Sequence, residues 1–174
     1  MKKYILTSLL LFLFLGVNSQ ESKYNVLLDS IQQLRTLSKE NSISTEIRRV
    51  YAEQAVELSK KINIDSVLIK SKRNLAYFYI NIDFYDTFKT LNNSIIDLAV
   101  KNKDSLSEAY AYHNLGWYYQ IKAIQDTSFY HYFKARKLYR ELQDKRNEGE
   151  VLLNMVSIQL SEKDYTGAES NAIE

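Results

Sequence analysis

The chain has 174 residues, of which 45% are hydrophobic and 25% charged, as is typical of a single globular domain. It contains no cysteine, which excludes disulfides, thiolate zinc sites and cysteine nucleophiles, and no proline, which leaves long stretches free to be helical. Without Lys2 and Lys3 the formal charge of +2 becomes zero, so nucleic acid is excluded as a partner of this segment for lack of a positive field.

The N-terminus has the three-part layout of a secretory signal peptide. Lys2 and Lys3 precede an apolar run from Ile5 to Leu15, and small residues follow up to Ser19. The apolar run is shorter than the roughly 20 residues that a membrane-spanning helix needs. These features predict a signal peptide over residues 1–19, cleaved after Ser19, and export across the inner membrane to a periplasmic or other extracytoplasmic location.

After the predicted cleavage site, apolar residues recur at helical spacing. Stripes over 21–39 and 46–62 predict two helices, and the capping residues of 41–45 separate them. The dipeptide Asp65-Ser66 predicts the N-cap of a second helix pair.

Similar signals continue to the end of the chain. Asp104-Ser105 predicts the N-cap of a third pair, and we predict the turn inside that pair at 125–128, which would make its first helix a turn longer. The polar run 145–148 leads into a fourth first helix. The run 162–165 then predicts a turn, followed by a second helix that Glu174 cuts short.

Four sets of residues repeat at an interval of 40 along the chain. They are Asn74, Asn114 and Asn154; Leu75, Leu115 and Met155; Ala55, Ile95 and Ala135; and Leu58, Leu98 and Leu138. A repeated helix pair buries its apolar side only by stacking on a neighbour, so the pattern predicts an all-α solenoid of antiparallel helix pairs with about three and a half repeats. The repeat domain covers 20–174, with repeats near 22–62, 65–102, 105–143 and 147–174, the last one incomplete.

The run from Tyr112 to Tyr119 resembles the tetratricopeptide repeat. It reads Tyr112-x-x-Leu115-Gly116-x-x-Tyr119, and Ala135 follows on the second helix where that family has a small residue. The resemblance extends from residue 22 to the end, with an interval of 40 residues instead of about 34 and a slip of one residue in repeat one. It implies a right-handed solenoid in which the first helices of successive pairs line a concave binding face.

The resemblance also implies a candidate ligand site, because tetratricopeptide proteins contact ligands from five positions of each first helix. In repeats two and three these positions are Lys70, Arg73, Asn74, Tyr77, Tyr110, His113, Asn114 and Trp117, flanked by Ile80 and Gln120. Repeat four supplies a less polar set, Glu150, Leu153, Asn154, Ser157 and Leu160. Spacings of three and four residues put such side chains on one side of a helix.

We predict that Lys70 and Arg73 form a positive wall opposite an aromatic wall of Tyr77, Tyr110 and Trp117. Such a site suits a peptide with a carboxylate and an apolar anchor, because guanidinium and carboxylate groups form strong charge-assisted hydrogen bonds. The alternative is a solvated basic turn beside aromatic residues that only pack the helices.

The repeated asparagines need hydrogen-bond partners, because asparagine lowers helix propensity. The partner is either a neighbouring helix or the backbone of a bound peptide. The two histidines, His113 and His131, lack the acidic neighbours that would complete a metal site, so no metal and no other cofactor is expected. No phosphate loop, nucleophile elbow or zinc-protease motif is present, and we expect no enzymatic activity.

These observations predict an exported protein-interaction module that binds an acidic or carboxylate-bearing protein or peptide on the concave face. One alternative is the extracytoplasmic sensory part of a membrane-bound sensor kinase or helix-turn-helix transcriptional regulator, in which a downstream segment provides the contact with the membrane. Another is a glycan-binding module that uses tyrosine and tryptophan platforms, although tyrosines on paired helices more often belong to the core.

Overall fold

The computed structural model describes residues 23–81 and 84–173, so the predicted signal peptide at 1–19 lies outside the described residues. The chain forms two compact units, the first ending at Ile64 and the second beginning at Asp65. Every regular element in the described ranges is an α-helix. None of these helices has the length and apolar character needed to cross a lipid bilayer.

The first unit contains one helix pair, α1 (residues 23–37) and α2 (Thr45–Ile62). Its buried side chains include Ile31 on α1 and Ala52, Ala55 and Val56 on α2. The side chain of Arg48 donates a hydrogen bond from Nε to the carbonyl oxygen of Ser38 at 2.9 Å, which connects α2 to the turn that precedes it. The structure therefore confirms a helix within the predicted range 21–39, over residues 23–37, and the helix predicted over 46–62. Residues 21 and 22 lie outside the described residues.

The second unit contains six helices that pack in chain order, each against the next. They are α3 (Asp65–Asn81), α4 (Tyr85–Asn102), α5 (Ser105–Ile121), α6 (Gln125–Glu141), α7 (Lys145–Ser161) and α8 (Tyr165–Ile173). The helices α3, α5 and α7 begin 40 residues apart and end 40 residues apart. The interval seen in the sequence is therefore also the interval of the structure.

The turns repeat because similar backbone hydrogen bonds close them. Lys103, Ala123, Gln143 and Lys163 all have positive φ, the left-handed conformation that ends many helices. After each of these residues, the next amide donates a hydrogen bond back to the preceding helix, as from Asp144 N to the Tyr139 carbonyl at 2.9 Å. Aspartate side chains cap the helices that follow three of these turns, and Asp104 accepts from the backbone N–H of Ser107 at 3.0 Å. Ile124, which precedes α6, provides no side-chain cap. The predicted N-cap at Asp104 is confirmed.

The turn inside the third pair differs from the sequence-based prediction. We expected it at 125–128, after a longer first helix, but α5 ends at Ile121 and α6 already begins at Gln125. Ala123 adopts φ of 54° in the short turn between them. The polar run misled the prediction because its residues occupy the first turn of α6, where polar side chains are favourable.

The core consists of repeated positions, as the 40-residue interval predicts. Leu75, Leu115 and Met155 are all buried, and Ala55, Ile95 and Ala135 are completely so. A core cluster of the second unit lies between α5, α6 and α7 and contains Ala109, Tyr132, Ala135, Tyr139, Val151, Met155 and Ile158. Tyr132 and Tyr139 are therefore core residues of this unit, as is Tyr118.

Candidate functional site

The candidate site lies on α3, α5 and α7, which are the first helices of three successive pairs. Direct contacts connect them: Arg73 on α3 contacts α5, and the Nδ2 atom of Asn154 on α7 lies 3.4 Å from the Nε2 atom of His113 on α5. We refer to one surface of these helices as the A-helix face, defined as Lys70, Arg73, Tyr77, Tyr110, His113, Trp117, Glu150, Leu153 and Leu160.

The two basic residues predicted for this face differ in how firmly they are held. Lys70 is exposed. Arg73 is half-buried, and its guanidinium carbon lies 4.4 Å from the centre of the Tyr110 ring, in a cation–π contact. The same guanidinium donates a hydrogen bond from Nη1 to Oγ of Ser107 at 3.2 Å. Arg73 is therefore positioned before any ligand arrives, although a guanidinium has five N–H donors and the bond to Ser107 occupies only one.

The aromatic residues of the predicted site have different environments. Tyr77 has 56% of its surface exposed, whereas Trp117 is half-buried. The indole of Trp117 packs 6.0 Å from the ring centres of both Tyr85 and Phe88 on α4. Trp117 therefore contributes mainly to the packing of α5 on α4, and Tyr77 is the more exposed of these two side chains.

Two of the repeated asparagines, Asn114 and Asn154, contact side chains of neighbouring helices. Asn114 donates from Nδ2 to Oδ1 of Asn92 at 2.8 Å, and Asn92, which is fully buried, donates to the carbonyl oxygen of Phe88 at 2.8 Å. Asn154 contacts His113, as described above. The sequence allowed two kinds of partner, a neighbouring helix or the backbone of a bound peptide. Asn114 and Asn154 both contact a neighbouring helix. Asn74, the third member, is half-buried.

His113 is held among aromatic residues of α6. Its ring packs edge-on against Tyr132 and Tyr139, with centre distances of 5.8 and 6.3 Å. Burial lowers the pKa of His113, and the Glu150 carboxylate opposes that shift in part. In the described part of the chain, no three histidine, aspartate or glutamate side chains are grouped so that they could hold a metal ion.

The structure adds one residue to the site that the sequence analysis did not include, and it shows that two leucines of the repeat-four set are exposed. Ser107 accepts a hydrogen bond from Arg73, but nothing in the sequence pairs these two positions. On α7, Leu153 is 72% exposed and Leu160 is 50% exposed. The 40-residue interval already related these leucines to His113 and Gln120, but their exposure depends on what packs beside α7.

Comparisons with known proteins agree with this architecture. A crystal structure of BtubC (BKLC) from P. vanneervenii is similar to this chain with a TM-score of 0.64 and 15% identity, over 71% of this chain and 52% of that one. A kinesin light chain from Podosopora anserina, described as having nearly identical TPR-like repeats, is similar with a TM-score of 0.66 and 12% identity, over 85% of this chain and 72% of that one.

The present chain thus spans about half the length of the BtubC structure. No protein-family model matches the sequence, and no curated protein matches it. At these identities the similarity concerns the fold, and the helix pairs at 40-residue spacing agree with it. By its fold, this is a tetratricopeptide-like repeat protein.

Proposed function

We propose that the protein is a binding module that holds a peptide, or an extended segment of a protein, on the A-helix face. The tetratricopeptide-like fold supports this proposal because it is a protein-interaction repeat scaffold. The observation that carries the proposal is the position of Arg73, fixed over Tyr110 and beside the exposed Lys70 and Tyr77. Function by binding alone needs no catalytic group.

The proposed ligand group at this position is a carboxylate. A guanidinium binds a carboxylate through parallel, charge-assisted hydrogen bonds, which are stronger than bonds between neutral groups. Because Ser107 and Tyr110 already hold Arg73, binding costs less side-chain entropy than it would for a freely rotating arginine. The exposed ring of Tyr77 offers an apolar contact for a neighbouring residue of the ligand.

A peptide array tests the proposal directly. The segment from Gln20 to Glu174 is applied to an array of random 12-residue peptides, and the affinities of bound peptides are measured by fluorescence anisotropy. We expect binding that is enriched in acidic peptides. The double variant Lys70→Glu/Arg73→Glu should abolish it, with helicity in circular dichroism unchanged.

The matched control is Lys61→Glu/Lys137→Glu, which makes the same change of net charge at two exposed lysines outside the A-helix face. This control should bind as the parent does. Retention of peptide binding by Lys70→Glu/Arg73→Glu would refute the proposed site.

We also propose that the protein is exported, on the basis of the sequence of residues 1–19. N-terminal sequencing of the protein recovered from cell fractions should find Gln20 as the first residue of the extracytoplasmic form. Recovery of the protein only from the cytoplasm with residues 1–19 still attached would contradict this proposal.

A further inference from the structure

One set of equivalent positions carries opposite charges at the two sides of the A-helix face. Lys70, Tyr110 and Glu150 follow one another at the 40-residue interval, so each lies on the second turn of its helix. Lys70 and Glu150 are both exposed, and Tyr110 is half-buried between their helices. Within the described ranges 23–81 and 84–173, neither Lys70 nor Glu150 has an ion-pair partner. Both charges therefore remain available to a ligand.

The two charges belong to one continuous surface. Arg73 on α3 packs on the Tyr110 ring of α5, and Asn154, one turn after Glu150 on α7, lies 3.4 Å from His113 of α5. The Glu150 carboxylate also acts on His113, in the middle of the face. The positive side and the negative side are thus on either side of the same α5 residues.

We propose that the A-helix face binds a peptide segment that carries an acidic and a basic residue about five or six positions apart, with the acidic residue at Lys70 and Arg73 and the basic residue at Glu150. This inference rests on the proposed function and specifies its ligand. The exposed side chain of Leu153, one turn after Glu150, offers an apolar contact beside the basic residue.

The spacing follows from the dimensions of packed helices. Side-chain contacts join α3 to α5 and α5 to α7, so successive first helices lie about 10 Å apart and α3 and α7 lie about 20 Å apart. An extended peptide advances about 3.3 Å per residue, so five or six residues cover this separation. A peptide with adjacent opposite charges is too short to place its acidic residue at Lys70 and its basic residue at Glu150 at once.

The experiment compares three 12-residue peptides of identical composition. Between the Asp and the Lys of each peptide lie five residues, two residues or none. Binding to the segment from Gln20 to Glu174 is measured by fluorescence anisotropy at low ionic strength. We expect the peptide with the five-residue separation to bind at least tenfold more tightly than the one with adjacent charges. The difference should shrink in high salt, because surface charges are screened.

A charge exchange then identifies the contact. Glu150→Lys should weaken binding of the peptide with the five-residue separation about tenfold, and replacing that peptide's lysine by glutamate should restore it. Asp97→Lys on α4, an exposed site outside the A-helix face, should leave the affinity unchanged.

Two outcomes would overturn the inference while leaving the proposed function intact: equal affinity for all three peptides, or unchanged affinity in Glu150→Lys while Lys70→Glu/Arg73→Glu still abolishes binding. Absence of binding to every peptide, both here and on the random array, would refute the proposed function as well.

Discussion

The aromatic ring of Tyr132 lies directly against the backbone of Gly116. A methyl group at Gly116 would approach three ring carbons of Tyr132 to 2.5–2.8 Å, closer than carbon atoms pack in proteins. Tyr132 is fully buried on α6, and its hydroxyl donates a hydrogen bond to Oε1 of Gln120 at 2.8 Å. The glycine of the Leu-Gly pair therefore permits close contact between α5 and α6.

We predict that Gly116→Ala destabilises the fold. The buried ring of Tyr132 has little room to move, and overpacking of this kind costs about 1–3 kcal/mol, more than alanine gains in helix propensity. Urea unfolding followed by circular dichroism measures the change. The control is Gly149→Ala on α7, where an added methyl group meets no atom within 4 Å. That variant should gain about 0.5–1 kcal/mol, and equal effects of the two substitutions would contradict the prediction.

Asn114→Ala should reduce stability, although the sequence made Asn114 a candidate for ligand binding. The substitution removes the donor to the fully buried Oδ1 atom of Asn92, and an unsatisfied buried polar atom costs about 1–3 kcal/mol. Thermal unfolding should show a lower Tm. Asn93→Ala, at the exposed position next to Asn92, is the control and should change Tm little. An unchanged Tm in Asn114→Ala would show that this hydrogen bond does not contribute to stability.

Two glutamates at equivalent positions should respond in opposite ways to loss of their charge. Glu148 is buried and accepts from Nε of Arg140 at 2.7 Å and from Nζ of Lys145 at 3.2 Å, and these bonds lower its pKa against the effect of burial. At Glu108, 40 residues earlier, the counterparts of these cations are Val100 and Ser105, and burial raises its pKa.

We therefore predict that Glu148→Gln lowers the free energy of unfolding by about 1–2 kcal/mol, a range reduced for solvent screening because Arg140 is half-exposed. Glu108→Gln should be neutral or stabilising, because it removes a charge that burial already disfavours. Chemical denaturation of both variants at pH 7 makes the comparison. A larger loss for Glu108→Gln than for Glu148→Gln would contradict it.

Stability should decrease as the pH falls below the ordinary histidine pKa of about 6.5. Burial lowers the folded-state pKa of both His113 and His131, so in this range the unfolded chain binds protons that the folded chain does not. Each histidine contributes a slope of at most about 1.4 kcal/mol per pH unit, until the pH falls through its folded-state pKa.

Urea unfolding of the parent and of His113→Gln/His131→Gln at pH 7.5, 6.5 and 5.5 measures this effect. Carboxyl groups also titrate toward the lower end, but they are common to both proteins, so the difference in slope reports the histidines. We expect a smaller loss of stability in the double variant between pH 6.5 and 5.5. Equal losses would mean that the histidines do not couple folding to pH.

Local features of the sequence are enough to identify a helical repeat. Its 40-residue interval, its lack of proline and its capping aspartates are local features, and helices α3, α5 and α7 begin and end at that interval. Burial of Leu75, Leu115 and Met155 also follows from the pattern, because each helix pair buries its apolar residues against the neighbouring pair.

Packing between helices, in contrast, sets which residues of the A-helix face can contact a ligand. Asn114, Trp117 and His113 have the spacing of ligand contacts, yet each is packed or bonded against a neighbouring helix. Arg73 gained its fixed orientation from Ser107, 34 residues away. Helical spacing specifies on which face of its helix a residue lies. Whether that residue is available to a ligand depends on which side chains of the adjacent helices pack against it.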